Sequence, residues 1–496
     1  MPPAIASAAT TPNSVVLARG VIWIAAARWS SQIIAWSVTL YMARLLTTRE
    51  YGWAGLVSVV SSWVYSLSEF GIASTMLALR DEGLAKQRSL HTLVVLLTLG
   101  GSALIALGAI PAAAFMRDRE LAPLLAVGGL LVLAQGFSAV PMALLQLRLD
   151  FRTVARIEFS RSLVNTLGVA AFALSGFRVW SLPLAALSGA LVQAALSNHA
   201  VRVPFTRVRL APLREMLAYA RHIVVGRIAW LTYLDADVVM VGRAVGTTVA
   251  GQYQFAWNIA TLPGEKLVNV VTAALLPFFS AIAEDLAKLR KYLLLMTEGL
   301  ALVIFPVFIG IIAVADEAIP LLFGAKWQPA ILPLKLLICY ALIQALSSVM
   351  TNAASALRMA RDVNRVPVFA LLILPPCFYL AARYSSLASV ALVWLVAAPA
   401  MAAWPMRLVL RRLDVRTSTF FASLITPTVA SLTMLAVVAA LQRWVTRPSH
   451  PMAALAVDVA AGGATYLLTL LVVFPTRVRW MIDAVNAVRA SRRATG

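Results

Sequence analysis

Long apolar stretches, separated by short charged or Pro/Gly-containing segments, recur along the whole chain. A transmembrane helix needs about 20 predominantly apolar residues, and fourteen stretches are of about that length or longer. The pattern predicts an all-α polytopic membrane protein. The predicted helices span 19–43, 52–79, 90–115, 121–147, 155–177, 180–200, 217–242, 248–278, 292–315, 328–355, 366–383, 386–410, 418–441 and 453–475.

Positive charges are distributed unequally between the two ends of these helices. Of the 42 Lys and Arg residues, 28 lie in the two tails, in the loops after even-numbered helices or at the helix ends beside them, and 10 lie in the loops after odd-numbered helices or at the helix ends beside those. Basic loops stay on the cytoplasmic side of a membrane, so both termini are predicted to be cytoplasmic. Residues 1–18 lack the early positive charge of a cleavable signal peptide and are predicted to remain as a tail.

Composition excludes several classes of protein. With 61% hydrophobic and 13% charged residues and a mean hydropathy of +0.84, the chain does not have the composition of a soluble enzyme, which carries about 25% charged residues. The net charge of +21 is spread between apolar stretches, which argues against a nucleic-acid partner. The two cysteines, the scattered histidines and the lack of a P-loop motif predict no metal site, no cofactor and no P-loop ATP hydrolysis.

An internal repeat organises the chain. A shift of 199 residues aligns 24–52 with 223–251 without a gap, and five positions are identical: Ile24/Ile223, Arg28/Arg227, Arg44/Arg243, Thr48/Thr247 and Gly52/Gly251. A repeat of six helices keeps its direction across the membrane, so the two halves should be related by an axis along the membrane normal. The predicted organisation is a tail at 1–18, an N-lobe at 19–205, a C-lobe at 206–416, helices 13 and 14 at 417–476, and a basic cytoplasmic tail at 477–496.

Charged residues within predicted spans are candidates for function, because ionisable groups in a membrane are costly unless paired, hydrated or coupled to an ion. Arg28 and Arg227 occupy the same depth in the first and seventh helices. Each either binds a ligand or neutralises an intramembrane acid such as Glu69 or Asp235. Asp235 and Asp237 lie about 200° apart around a helix, so they should face different partners.

A Pro-Gly pair interrupts the eighth predicted helix at Pro263-Gly264 and predicts a kink facing a cavity. Glu265 and Lys266 follow it and are either ligands or a neighbouring ion pair, and Lys335 is a further intramembrane cation. Most tryptophans lie near predicted helix ends, where indole rings settle at the membrane interface. Trp29 and Trp257 are exceptions.

Several segments resemble the polysaccharide transporter family, the Wzx-type lipid-linked oligosaccharide flippases of the multidrug/oligosaccharidyl-lipid/polysaccharide flippase superfamily. They are REYG (49–52), MALLQLRLDFRTVARIEFSRSLV (142–164), GFRVWSL (176–182), DADVVMVGRAVGTTVAGQYQFAWNIATLPGE (235–265), ALLPFFSAIAED (274–285) and LLFGAKWQPAILPLKLL (321–337). The resemblance implies a bacterial inner-membrane protein that flips undecaprenyl-diphosphate-linked oligosaccharide from the cytoplasmic to the periplasmic leaflet, for exopolysaccharide or O-antigen synthesis. Its partners would be that lipid, the bilayer, and polymerase and glycosyltransferases of the pathway.

Such a substrate needs a hydrated cavity with cations near its diphosphate, since arginine can hold phosphate oxygens bidentately. The predicted mechanism is alternating access of a cationic central cavity, with no catalytic residues. The alternatives are a multidrug or toxin exporter of the same superfamily, and a membrane glycosyltransferase or polymerase. The candidate residues are Arg28, Arg227, Lys266 and Lys335 for the diphosphate, Glu69, Asp235 and Glu265 for ion coupling or counter-charge, and Trp29 and Trp257 for sugar stacking.

Overall fold

The computed structural model describes residues 38, 40–68, 84–148, 150–209, 213, 235–359, 363, 365–384, 386–444 and 450–475. Within these ranges the regular structure is helical and contains no strand. In a bilayer the backbone must satisfy its own hydrogen bonds, and a helix does so within one segment. The predicted all-α class is therefore confirmed.

We number the membrane helices so that each keeps the rank of its predicted span. The eighth consists of two α-helical segments joined by a π-helical turn, and a short helix, Thr417–Ala422, precedes the thirteenth. The helices are α1 (40–45), α2 (Thr48–Ser68), α3 (Leu84–Phe115), α4 (Leu121–Leu147), α5 (Phe151–Leu174), α6 (Ser181–Ala200), α7 (235–244), α8 (Thr247–Pro263, Gly264–Val268 and Asn269–Ala281), α9 (Leu286–Phe323), α10 (Ile331–Ala356), α11 (Arg365–Tyr384), α12 (Leu387–Arg412), α13 (Ile425–Trp444) and α14 (Pro451–Val473).

Eight helices among the described residues are long and apolar enough to cross a membrane. They include α3, α4, α9 and α10 in the middle of the chain and α12, α13 and α14 towards its end. The protein is therefore a multi-pass membrane protein. The count of fourteen spans stays a prediction, because α1 and α7 are described only in part.

Several predicted boundaries were too short, most clearly for α9, which was predicted at 292–315. The observed helix begins after Asp285, whose carboxylate accepts a hydrogen bond from the backbone N–H of Lys288, and it ends at Gly324 with a φ of 104°. A count of apolar residues stops at the first charges. A helix, however, continues beyond the bilayer until a cap or a left-handed residue ends it.

Packing partners recur at corresponding positions of the two halves. In the first half α4 packs against α2, α3 and α6, and in the second half α10 packs against α8, α9 and α12. The pair α5 and α6 likewise corresponds to α11 and α12, whereas α13 and α14 pack against each other and against α9. The division into two lobes stays a prediction, and this repeated set of neighbours is what a six-helix repeat would produce.

The two halves approach each other closely where α2 crosses α8. A Cβ added to Gly52 would overlap the carbonyl oxygen of Thr247, and a Cβ added to Gly251 would overlap the carbonyl oxygen of Thr48. These four residues are two of the identical pairs of the repeat, Thr48/Thr247 and Gly52/Gly251. Gly52 thus approaches Thr247, and its repeat counterpart Gly251 approaches Thr48. Such reciprocal contacts are the pattern that a two-fold axis produces.

The predicted kink in α8 takes the form of a π-helical turn at Gly264–Val268, directly after Pro263. Proline lacks an N–H and crowds the preceding turn of a helix, and π turns often accommodate such a break. Glu265 and Lys266 lie in this turn, but their side chains are outside the described residues.

Candidate functional site

A cavity of about 520 Å³ lies where α2, α5, α6 and α8 meet α1 and α4. None of the described residues lining it is Asp, Glu, Lys, Arg or His. Between apolar side chains the wall carries amides and hydroxyls. These polar side chains, which we call the amide wall, are Tyr51, Ser58, Asn165, Thr166, Gln254 and Asn258.

Hydrogen bonds order part of the amide wall across the crossing of α2 and α8. The Nε2 of Gln254 donates to Oδ1 of Asn258 at 2.9 Å, and Nδ2 of Asn258 donates to the Tyr51 hydroxyl at 3.0 Å. Gly55 of α2 leaves room for the Gln254 side chain, because a Cβ there would lie 2.9 Å from its Cγ. The Gln254 Oε1 is buried and accepts no hydrogen bond from the described residues.

The two halves are joined by hydrogen bonds at the end of the bundle that carries the loops after odd-numbered helices. We call this end the odd-loop end and these contacts the closure. In the loop between α3 and α4, Asp118 is only 4% exposed. Its carboxylate accepts two hydrogen bonds from Arg49 at 2.8 and 3.1 Å, one from Trp53 Nε1 at 2.7 Å, and one from the Thr247 hydroxyl at 2.6 Å. Asp118 therefore links α2 to the first residue of α8.

Electrostatics favour this arrangement of the Asp118 carboxylate. Burial would raise the pKa of Asp118, but the hydrogen bonds from Arg49, Thr247 and Trp53 outweigh burial and hold the pKa below its ordinary value. The group is thus a charged acceptor that is fully bonded in the closed arrangement. Separating α2 from α8 would remove its contact with Thr247.

A second set of contacts closes the odd-loop end from the other half. Lys326 and Trp327 lie in the loop between α9 and α10. Lys326 Nζ donates to the carbonyl of Arg44 at 2.7 Å, and Trp327 Nε1 donates to the carbonyl of Ala43 at 2.9 Å. In return the Arg44 guanidinium donates to the carbonyls of Leu321 and Leu322 at 2.7 and 2.5 Å. These carbonyls lie in the last turn of α9, where a helix leaves acceptors unpaired.

Arg243, the repeat counterpart of Arg44, also contacts the opposite half. Arg243 lies at the end of α7, as Arg44 does at the end of α1, and its guanidinium lies 5.0 Å from the ring centre of Phe115, the last residue of α3. Each of the two arginines therefore reaches the end of a helix in the opposite half. The closure consists of exchanged contacts between the halves.

Among the predicted site residues, Asp235 lies at a contact between the halves. Its carboxylate accepts a hydrogen bond from Trp63 Nε1 of α2 at 2.9 Å. Asp237, two residues on, faces the opposite way and is buried. It accepts hydrogen bonds at 2.7 Å from the Tyr253 hydroxyl and from Trp394 Nε1. The expectation that the two acids face different partners is confirmed.

Lys335 and Trp257 are not among the described residues that line the cavity. Lys335 forms an ion pair with Asp316 at 2.6 Å near the start of α10. The Trp257 ring packs within an aromatic cluster of the second half, with ring-centre distances of 5.5 Å to Trp394, 5.7 Å to Tyr340 and 6.5 Å to Tyr253.

The remaining predicted site residues fall outside the described part of the chain. Arg28, Trp29, Glu69 and Arg227 are not described, and neither are the side chains of Glu265 and Lys266. The diphosphate, sugar-stacking and ion-coupling roles therefore stay predictions. In the described ranges no cluster of three or more His, Cys, Asp or Glu residues is arranged to hold a metal ion.

Sequence reasoning missed both Asp118 and the amide wall. Asp118 stands in the run RDRE, which is typical of a solvated loop, and nothing local indicates that it is buried. Gln254 and Asn258 are four residues apart and so share one helix face, which was the available signal. The sequence shows the identities Thr48/Thr247 and Gly52/Gly251. These indicate that the residues hold equivalent positions in the two halves, but not that they contact each other.

Comparison with known proteins shows which family the chain matches. The family described as "Polysaccharide biosynthesis protein" matches residues 41–332. The chain is 26% identical over 340 residues to the lipopolysaccharide biosynthesis protein WzxC of Escherichia coli (strain K12), and 25% identical over 328 residues to the succinoglycan biosynthesis transport protein ExoT of Rhizobium meliloti (strain 1021). Each match covers 64% of this chain and spans 65% of the relative's length.

The fold also has a counterpart among solved structures. The structure of the lipid II flippase MurJ in an inward closed conformation matches with a TM-score of 0.76 at 14% identity, covering 92% of this chain and all of the other. At this identity the match shows the fold alone. It extends the likeness beyond the residues that the family match covers.

Proposed function

Because this chain belongs to the polysaccharide biosynthesis protein family, we propose that it is a flippase for undecaprenyl-diphosphate-linked oligosaccharide repeat units. It moves them from the cytoplasmic to the periplasmic leaflet of the bacterial inner membrane, for exopolysaccharide or O-antigen assembly. Polymerase and glycosyltransferases of the same pathway consume and supply its substrate. The observation that carries the proposal is a cavity inside an apolar bundle whose wall carries amides and hydroxyls, beside contacts that join the two halves at one end.

The position of the closure supports the proposed alternating access. The charge distribution predicts that the odd-loop end faces the periplasm, and in that orientation the contacts between the halves lie on the periplasmic side. A polar headgroup enters from the cytoplasmic leaflet while its apolar tail stays in lipid. The exchanged contacts of Asp118, Arg44 and Lys326 must then separate for release on the other side.

For the diphosphate we retain the sequence-based assignment to Arg28 and Arg227, with Lys266 as a further cation. The described amide wall supplies no charge of its own, so the proposed cationic character has to come from residues elsewhere around the cavity. Lys335 is a weaker candidate because Asp316 already neutralises it. Glu69, Asp235 and Glu265 are the proposed counter-charges or coupling groups.

Two other functions fit the cavity less well. An exporter of organic cations needs acids in its cavity, and the described lining carries none. A membrane glycosyltransferase or polymerase would need catalytic acids beside its substrate. The neutral lining favours a carrier of sugars over both.

The test of the function is removal of the protein from its host. We expect undecaprenyl-diphosphate-linked repeat units to accumulate in the cytoplasmic leaflet and polymer secretion to stop, with both restored by the wild-type gene. The measurement is mass spectrometry of extracted lipids together with protection of the sugar from a periplasmic probe. Accumulation in the periplasmic leaflet would instead indicate a polymerase, and an unchanged lipid pool would contradict both roles.

The diphosphate assignment has its own test. If Arg227 binds phosphate, Arg227→Ala should abolish secretion while membrane abundance is kept, since a charge-assisted contact of about 1.5–3 kcal/mol is lost from binding. Arg227→Lys should restore part of the activity, because a point charge keeps attraction without bidentate geometry. Recovery in the double variant Arg227→Ala with Asp235→Asn would show that the arginine is only a counter-charge.

A further inference from the structure

We propose that the amide wall is a subsite for the uncharged sugar portion of the substrate, separate from the cations that bind its diphosphate. The proposal rests on the flippase function above and adds to it which part of the substrate reaches the closed end of the cavity. The wall brings together α2, α5 and α8, so a sugar bound there would touch both halves of the protein.

The chemistry of the wall matches sugar hydroxyls. Its side chains are amides and hydroxyls, which both donate and accept hydrogen bonds, as sugar hydroxyls do. A diphosphate is recognised by charge-assisted donors, chiefly Arg and Lys, and none of the described lining residues carries a charge. The cavity volume of about 520 Å³ is within the range of about 300–1,000 Å³ typical of small-molecule sites.

Unused hydrogen-bonding capacity also points to a ligand. Gln254 and Asn258 both donate in the direction of Tyr51. At one end of this row of hydrogen bonds the Tyr51 hydroxyl accepts, so its own proton is left to donate. At the other end the Gln254 Oε1 is buried without a partner among the described residues. A buried acceptor of this kind costs free energy unless a ligand or water satisfies it.

Charge reappears one helical turn farther from the odd-loop end. Arg161 precedes Asn165 by four residues on α5 and therefore lies on the same face. It forms an ion pair with Glu158 at 2.9 Å, and Glu158 also accepts from Gln193 of α6. Along α5, charged side chains thus reappear only towards the even-loop end and as an ion pair, so the described residues near the closure offer a sugar hydrogen bonds and offer a diphosphate no cation.

The subsite also lies close to the contact that has to open. Seven residues separate Gly251 from Asn258 along α8, which is about 10 Å at 1.5 Å per residue. A sugar bonded to Tyr51 and Asn258 would replace the direct hydrogen bond between α2 and α8. Sugar binding is thereby coupled to separation of the two helices.

The test compares two lipids on purified protein in lipid nanodiscs. One probe is undecaprenyl diphosphate, and the other is the sugar-bearing lipid extracted from host cells that lack the protein. Binding is followed by native mass spectrometry for wild type, Tyr51→Phe, Gln254→Leu and Asn258→Leu. Asn352→Leu is the matched control, since the amide of Asn352 donates to Ser348 of its own helix and, among the described residues, lies outside the cavity lining.

We expect each cavity variant to weaken binding of the sugar-bearing lipid by roughly three- to tenfold, the loss expected for one hydrogen bond. Binding of undecaprenyl diphosphate should stay within about twofold of wild type. Tyr51→Phe removes a single oxygen and keeps the test valid if a leucine variant fails to fold. The control should match wild type with both probes.

Four results would overturn the subsite. Equal losses for both lipids would assign the wall to the diphosphate or to structure, and unchanged binding of the sugar-bearing lipid would remove any role in recognition. Wild-type protein that binds both lipids equally well would show that the sugar adds nothing, while the flippase function survives. Wild-type protein that binds neither lipid would overturn the proposed function and the subsite together.

Discussion

The same two helices, α2 and α8, behave differently at two depths. At the odd-loop end they are in backbone contact through Gly52 and Gly251. Within the next one to two turns they carry Gln254, Ser58 and Asn258 around a cavity. The close contact of the two helices requires glycines, which have no side chain, whereas the cavity wall is made of polar side chains. Substitutions at the contact should therefore affect helix packing, and substitutions in the wall should affect ligand binding.

The chemistry of the two regions differs for a related reason. Near the membrane surface charged groups are inexpensive, and Asp118 can bring together Arg49, Trp53 and Thr247. In the membrane interior an unpaired charge is costly, and the described cavity wall is neutral. The charged contacts therefore lie at the odd-loop end, and the described cavity wall offers neutral hydrogen-bonding groups to the proposed sugar ligand.

The largest effect should come from adding a methyl group at the crossing. Gly251→Ala would place a Cβ onto the Thr48 carbonyl oxygen and 2.7 Å from the Gly52 nitrogen. Overpacking of this kind costs about 1–3 kcal/mol, so we expect polymer secretion to fall by roughly five- to 150-fold. Secretion and membrane abundance are measured together. Gly463→Ala is the control, because a Cβ there meets no atom within 4 Å, and wild-type secretion by Gly251→Ala would refute close packing at the crossing.

A comparable effect on stability is expected at Asp237, an interior acid that is tolerated because it is fully bonded. Asp237→Ala removes the carboxylate that accepts from both the Tyr253 hydroxyl and Trp394 Nε1 in an apolar cluster, at a cost of about 1–3 kcal/mol. We expect a lower midpoint of thermal unfolding in detergent. Asp237→Asn keeps an acceptor and should recover most of the loss. If asparagine were as damaging as alanine, the charge itself would be required.

Neutralising Asp118 should weaken closure without destroying the fold. Asp118→Asn loses charge-assisted bonds, and since Arg49 is half exposed we expect a cost of only about 1 kcal/mol. Labelling of a cysteine placed near the odd-loop end should become several-fold faster. Glu120→Gln is the control, because Glu120 is exposed and 3.9 Å from Arg49. Equal labelling of both variants would remove Asp118 from the closure.

The smallest effect is a pH dependence of the same contact. The pKa of Asp118 is lowered in the folded protein, so its stabilisation is fully present above the ordinary Asp value of about 3.9. It is lost as the pH falls through the lowered pKa. We expect labelling at the odd-loop end to be constant between about pH 5 and 8 and to rise below about pH 4. In Asp118→Asn that rise should be absent, and an identical rise there would assign it to another group.

Local patterns predicted the helical class and most helix positions, because apolar length and charge are properties of short segments. They were less accurate for the ends of α9, where Asp285 and Gly324 decide the limits. For the site, the sequence indicated Asp235 as a functional or counter-charged group and predicted that Asp237 faces elsewhere. It did not indicate that Trp63 bonds Asp235 or that Trp394 bonds Asp237, since these partners are 172 and 157 residues away.

The sequence by itself determined that this protein is a bundle of membrane helices with an internal repeat. Long apolar segments in a bilayer have to form helices, and the 199-residue repeat keeps Thr48, Gly52 and their counterparts aligned. Only the tertiary structure decided that these repeated residues touch each other and that a loop aspartate joins the two halves. Such contacts depend on how distant helices cross, and no local pattern of side chains specifies a crossing.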